Sequence, residues 1–283
     1  MTTNIFGIME CIKKAERKMG KADLNWKIYI VGHERIYDAQ MKGDRKFNNE
    51  NYCFLNVGMS DRLENADKYR CINQRDLPGF ISLGKWWAES EGIYNLWRSG
   101  IYKGLQYIGF LHYDIEFRLV CKNRMRESFY LGTDSNITSR INRYIKGKER
   151  GHISFQTYST KADYEQDISA DENHPNELVH GGRNCYEYIL EDYNHYFKTS
   201  YTLDDIFKQQ KINLCSCFLI DVSAFEKMMG FFDWIVQSHK LDIFDTEHRY
   251  RLQGGLAERY FGIFMLFEYE EMLDLSLIHL LKK

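Results

Sequence analysis

Two kinds of hydrophobic spacing alternate along this chain. Short runs with little polar interruption, Lys27-Ile-Tyr-Ile-Val-Gly-His33, residues 51 to 58, Tyr107 to Phe117 and Asn213 to Ile220, read as strands buried in a sheet. Between them apolar residues recur at helical intervals: Ser90, Ile93, Tyr94, Trp97 and Ile101 with Trp86 before them, then Ile137, Ile141 and Ile145, and later the stretches 222–238 and 254–268. Gly100 marks the end of the first of these helices, and two more helices fit between about 185 and 210. Helix followed by strand is the crossover rhythm of α/β folds, so the pattern predicts a mostly parallel central sheet flanked by helices.

Two segments stand apart from this rhythm. In the N-terminal stretch 1–22, Ile5, Ile8, Met9, Ile12, Ala15 and Met19 form one face of an amphipathic helix with Lys13, Lys14, Arg17 and Lys18 elsewhere around it. Such a helix packs on its own domain, or rests against an anionic lipid surface as a peripheral membrane contact. Residues 161–184 are the least apolar, with Asp163, Asp167, Asp171, Glu172 and the pair Gly181-Gly182, and are expected to form a mobile loop. No internal repeat is visible.

Length and composition narrow the picture. At 283 residues with two prolines and 44% hydrophobic residues, the chain reads as one compact domain with elaborations. Its 38 basic and 40 acidic side chains give a formal charge of -2, which removes the electrostatic case for a nucleic-acid partner. The seven cysteines are scattered without paired metal-ligand spacing and read as reduced thiols of a cytoplasmic protein. No run approaches the roughly 18 apolar residues of a membrane span.

Candidate chemistry gathers where the third apolar run ends. Asp114 and Glu116 are two residues apart, so on an extended chain they point the same way and can grip one hard cation, Mg²⁺ or Mn²⁺, whose shell substrate phosphates complete. In open α/β sheets ligands lie outside the carboxyl ends of the strands, which also singles out Gly32 and His33. The bland alternative for the acid pair is a strand end whose carboxylates cap a helix or meet surface arginines.

The residues then resemble a known pattern. Glu89-Ser-Glu-Gly-Ile-Tyr94-Asn-Leu-Trp97 followed by Tyr107-Ile-Gly-Phe-Leu-His112-Tyr113 is similar to E-L-T-x-x-Y-W-x-W-K-N and Y-I-G-L-x-H-Y-R-R-Y-F in an uncharacterised-domain family of bacterial glycosyltransferases from capsule and lipopolysaccharide gene clusters. Asn213 to Ile220 with Phe225 and Trp234 resembles its C-N-M-F-I-M block. Arg251-Leu-Gln-Gly254-Gly-Leu-Ala-Glu258-Arg259-Tyr-Phe261 resembles R-x-x-G-Y-L-A-E-R-L-F. Where the family has two basic residues after His-Tyr, this chain carries Asp114-Ile-Glu116, the acidic pair of metal-dependent transferases of the GT-A fold.

The resemblance implies a GT-A-like α/β domain that moves a sugar from a nucleoside-diphosphate donor to a hydroxyl of a glycan acceptor, the work of an enzyme assisted by Mn²⁺ or Mg²⁺ in polysaccharide biosynthesis. It implies donor contacts from Gly32, His33, Lys85, Glu89, Arg251 and Arg259, and a metal held by Asp114, Glu116 and a histidine from the C-terminal part, His279 or His248. Glu258 is the expected catalytic base if transfer inverts the anomeric centre. Each has an ordinary alternative: a first-turn acid for Glu89, a helix-surface carboxylate paired with Arg251 or Arg259 for Glu258, a surface or structural histidine for His33, His248 and His279. Tyr158 and Tyr164 are the aromatics offered to an acceptor. The competing function is a module that binds a nucleotide sugar or glycan without turnover; a D-x-D phosphohydrolase is disfavoured because the second acid is Glu and the next residue is the bulky Phe117.

Overall fold

The computed structural model describes residues 25–36, 50–84, 87–122, 128–130, 136–168, 179–180, 183–243 and 252–279. The chain runs β1 (Trp26–Gly32), β2 (Tyr52–Asn56), β3 (Cys71–Asn73), α1 (Glu89–Ser99), β4 (Tyr107–His112), β5 (Ile115–Lys122), β6 (Ser128–Tyr130) and α2 (Ile137–Ile145). It continues through β7 (His152–Ser154), β8 (Thr157–Ser159), α3 (Thr160–Ile168), β9 (Val179–His180), β10 (Arg183–Asn184), α4 (Cys185–Phe197) and α5 (Leu203–Lys208). The last part comprises β11 (Lys211–Asn213), β12 (Phe218–Asp221), α6 (Val222–Gln237), α7 (Leu252–Glu268), β13 (Leu273–Asp274) and β14 (Leu277–His279).

Seven strands form the central sheet in the order β13-β7-β12-β4-β1-β2-β3. The pairings β1 with β2, β1 with β4, β2 with β3 and β13 with β7 are parallel, and β12 runs antiparallel between β4 and β7. The strand pattern follows from burial on both faces. Tyr29, Val31, Cys53, Leu55, Ile108 and Phe110 meet α1, α4, α6 and α7 on one side. Ile28, Ile30, Tyr52, Phe54, Tyr107 and Leu111 meet Ile137, Ile141 and Ile145 of α2 and Ile115 and Phe117 of β5 on the other. Both halves of the period-two alternation are therefore apolar, which is why these strands read as unbroken hydrophobic runs.

Gly109 lets β4 sit close in this sandwich. A Cβ there would lie 2.5 Å from the Phe218 carbonyl oxygen of β12. Helix α1 ends as its sequence predicts, with Gly100 in the left-handed region at φ 68°.

Two expected strands are broken by turns. The run Tyr107–Phe117 leaves the central sheet after His112, turns at Tyr113-Asp114, and continues as β5 in a separate sheet of order β14-β5-β6. The run Asn213–Ile220 is split between β11 and β12 by Cys215 and Ser216, both in the left-handed region at φ 59° and 49°. Side chains with a Cβ occupy that region at a cost of order 1–3 kcal/mol each. The polar stretch 161–184 carries most of α3 and the β9–β10 pair, with 169–178 and 181–182 outside the described residues. The N-terminal stretch 1–22 likewise lies outside the described residues. Among the described residues no helix is long and apolar enough to cross a membrane.

At the edge of the sheet far from the carboxyl ends of β1 and β4, His152 is wholly buried with its ring 5.3 Å from that of Tyr269. Tyr269 in turn donates to Asp221 at 2.6 Å. Burial holds the imidazole pKa down to about 3. Between pH 6.5 and about 3 the unfolded chain therefore binds a proton that the folded chain refuses, so stability falls as the pH is lowered through that window. Urea midpoints of the wild type and His152→Gln measured from pH 7 to pH 4 should diverge, the variant losing less stability on acidification; parallel curves would show that His152 contributes nothing to acid sensitivity.

Candidate active site

The carboxyl ends of β1, β2 and β4 lie on one edge of the sheet because these strands are parallel. The chain passes from β1 to β2 on one side, then returns from β3 to place β4 on the other side of β1. Such a reversal of strand order opens a crevice at the carboxyl edge, where ligands of α/β sheets bind.

A cleft of about 720 Å³ occupies this crevice. It lies within the roughly 300–1,000 Å³ span of small-molecule sites. Its lining includes His33 from the end of β1, Gly58 and Ser60 from the turn after β2, Arg62, Gln74, and Glu89 from α1. The turn after β2 is tightly built. The Gly58 amide donates to Asn56 Oδ1 at 2.9 Å, and Arg75 donates to the carbonyls of Met59 and Gly58. A Cβ on Gly58 would fall 2.0 Å from the His33 carbonyl oxygen, so only glycine lets this turn close on β1.

The opposite wall is held by α1. Glu91 accepts from the backbone amides of Leu83 and Gly84 at 2.7 and 2.9 Å and from Gln74 Nε2 at 2.8 Å. Asn95 completes the hold through the amide and carbonyl of Ile81, both at 2.9 Å. Neither Glu91 nor Asn95 stood out in the sequence, because an acid and an amide on a helix read as its solvated face.

At the inner end of the cleft, alternation along β4 sets the chemistry. Ile108 and Phe110 face the helices α1, α6 and α7, and His112, two residues further, continues that row. There it meets Glu89 from the start of α1 and Glu258 from α7. One ligand atom from each of Glu89, His112 and Glu258 lies within 4.8 Å of the others. His112 Nε2 stands 4.0 Å from Glu258 Oε1, and His112 Nδ1 3.9 Å from Asp114 Oδ1. Nε2 is buried, and among the described residues no hydrogen bond reaches it. Two buried or half-buried carboxylates and an imidazole aimed at one point repel one another or share a proton unless a cation joins them. The donor set therefore fits a divalent metal ion.

The sequence-predicted site residues divide on this geometry. Glu89 and Glu258 converge, and Asp114 lies beside His112 in the turn after β4. Glu116 does not join them: the turn at Tyr113-Asp114 ends the extended stretch on which the shared orientation of the two acids depended, and Glu116 is buried on β5 outside the Glu89–His112–Glu258 group. His279 belongs to β14, registered against Ile115. His33 lines the cleft with its ring 4.8 Å from that of Tyr113 and perpendicular to it. Gly32 is not required by this contact, since a Cβ there would meet that of Tyr113 at 3.4 Å, an ordinary van der Waals distance. Arg259 forms a two-pronged ion pair with Asp163 of α3 at 3.0 and 3.1 Å, which engages the guanidinium offered to phosphate. Lys85, Arg251 and His248 lie outside the described residues. His112 is the residue that sequence reasoning missed, although its phase with Ile108 and Phe110 was legible.

Behind the cluster sits the left-handed Cys215-Ser216 turn. Burial, and next the charge of Glu258, push the Cys215 thiol up to about 12, so it is protonated at neutral pH and no nucleophile. Tyr158 Oη is 3.5 Å from Cys215 Sγ. Its phenol is raised above the usual range by burial first, with Cys215 and Glu258 adding to the shift.

No protein-family model and no curated protein sequence matches the chain. Among solved structures it is similar to the apo form of the bifunctional glycosyltransferase WbbM, with a TM-score of 0.56 and 15% identity over 89% of this chain and 44% of that one. This chain thus spans less than half the length of WbbM. The mannosyltransferase Ktr4p of S. cerevisiae in complex with GDP matches at a TM-score of 0.33 and 14% identity, over 86% of this chain and 68% of that one, too distant to carry an argument. The fold is α/β and GT-A-like, with a mostly parallel central sheet flanked by helices.

The position of Glu258 depends on how closely α7 approaches β11. One turn beyond Glu258, a Cβ on Gly262 would lie 2.4 Å from the Asn213 carbonyl oxygen. Gly262→Val should lower the free energy of unfolding by about 1–3 kcal/mol, measured in urea, because the backbone cannot yield as a flexible side chain would. A midpoint equal to wild type would mean that α7 does not rest against β11.

Proposed function

We propose that this chain is a glycosyltransferase that moves a sugar from a nucleoside-diphosphate donor to a hydroxyl of a glycan acceptor. The observation that carries the reading is the convergence of Glu89, His112 and Glu258 at the inner end of a cleft on the carboxyl edge of a GT-A-like sheet. The cleft takes the nucleoside, with His33 and the turn after β2 against it. The diphosphate then points toward the cluster. The similarity in fold to a bifunctional glycosyltransferase supports the reaction class.

Glu89, His112 and Glu258 would hold a divalent cation. Nitrogen among the oxygen ligands shifts the preference from Mg²⁺ toward a first-row transition ion such as Mn²⁺. When bound, the ion supplies Lewis-acid stabilisation of the diphosphate as it leaves. In the transfer the acceptor oxygen forms a bond to the anomeric carbon, the bond from that carbon to the donor phosphate oxygen breaks, and its electron pair leaves on the diphosphate. The acceptor hydroxyl gives up a proton. A carboxylate engaged as a ligand is a poor base, so in this reading Glu258 serves as ligand and Asp114, beside His112, receives that proton. His112 then positions both groups.

Thermal midpoints against a panel of nucleoside diphosphates, with Mn²⁺, with Mg²⁺ and with chelator, test the reading by mass action. One nucleotide should raise the midpoint with Mn²⁺, and the rise should vanish in His112→Ala and Glu258→Gln. Asp114→Asn should keep the rise yet lose about 10²–10⁴-fold in turnover, the usual loss for a general base. If no nucleotide shifts the wild type in any metal, the transferase reading fails.

A further inference from the structure

A second cleft, of about 490 Å³, opens along β8. Thr157, Tyr158 and Ser159 of β8 form one wall, and Phe207, Gln209 and Gln210 from the end of α5 face them. Tyr158 belongs both to this cleft and to the inner site. Its side chain is 38% exposed, yet its hydroxyl reaches in to Cys215 Sγ, and Glu258 raises the pKa of both residues. The hydroxyl is thus held at the Cys215-Ser216 turn while the residue stays partly exposed.

We propose that this second cleft is the acceptor subsite, and that it takes an uncharged saccharide stacked on Tyr158. The assignment as acceptor rests on the transferase reading; the saccharide class rests on the lining alone. Two aromatic rings flanked by amides and hydroxyls suit the alternating C–H faces and hydroxyl rims of a sugar. The two cations on the rim do not select an acid. Lys161 lies 3.5 Å from Glu165 Oε1 and Lys211 2.8 Å from Asp274 Oδ2, so each already faces a carboxylate.

The test uses the full chain and methyl glycosides of glucose, galactose and mannose, with the matching methyl uronides as the charged arm, titrated by saturation-transfer NMR. Tyr158→Ala removes the platform. Gln210→Arg fills the cleft from an exposed position whose backbone carbonyl, not its side chain, accepts the Thr160 amide. At least one neutral glycoside should bind wild type more tightly than its uronide, and both variants should weaken it about tenfold, the effect of one stacked ring. The Mn²⁺-dependent nucleotide shift should persist in both variants, which also reports that they are folded. Equal binding to wild type and variants, preference for the uronide, or no glycoside binding beside an intact nucleotide shift would each overturn the proposal. Loss of glycoside binding in the variants without any nucleotide shift in wild type would instead keep the saccharide site and remove the transferase reading.

Discussion

The close approach of β12 to β4 is the constraint on which the remaining architecture depends. With no Cβ at Gly109, the antiparallel β12 joins the parallel strands as one continuous sheet, and both faces of β4 are covered by apolar side chains. A strand so enclosed has nowhere to place a polar group except at its end. His112 comes at that end, on the face where α1 and α7 pack, so the packing that stabilises the fold also carries an imidazole into contact with two acids. Apolar burial on this scale contributes roughly 25 cal/mol per Å², far more than the few groups at the rim oppose.

The cluster is held from outside as well as from the sheet. Glu91 and Asn95 spend their hydrogen bonds on the segment 81–84, and so fix the wall of the cleft that Glu89 lines. Arg259 does the same for α7. Its pairing with Asp163, which also accepts from Tyr186 at 2.8 Å, ties the helix bearing Glu258 to α3 and α4. Both side chains of that ion pair are nearly buried, so breaking one partner would strand a charge. The arginine next to Glu258 is better understood as the residue that holds the acid in place than as a clamp for phosphate.

Much of this was legible in the chain. The parallel strands declared themselves because each is apolar on both faces, and α1, α6 and α7 followed from their spacing and, for α1, from Gly100. Misreadings came where a short turn interrupts an apolar run. Tyr113-Asp114 and Cys215-Ser216 contain neither glycine nor proline, and the second pair adopts left-handed backbone angles that its side chains disfavour. The Cys215-Ser216 turn is spanned by a local bond instead, the Asn213 side chain donating to the Cys217 carbonyl at 2.7 Å. The strand-phase argument for Asp114 and Glu116 lost its premise at such a turn, because the extended stretch is interrupted at Tyr113-Asp114. Within β4 the alternation runs unbroken, and its phase is enough to place His112.

The strained turn also explains how Tyr158 comes to link the second cleft to Cys215. Had residues 213–220 run on as one strand, β11 would have joined the central sheet and β8 with it. Because the chain doubles back at Cys215-Ser216, β11 pairs instead with β8 in a small separate ribbon that leans on α7 through Ile212 and Gly262. That ribbon carries Tyr158 to the turn, so its hydroxyl ends at Cys215 while its ring lines the outer cleft. The local cost of two left-handed residues is therefore tied to a geometric result: Tyr158, a wall of the second cleft, is brought within electrostatic reach of Glu258. Backbone strain of this kind persists only where surrounding contacts over-determine it, and here they are the contacts that join the ribbon to the site.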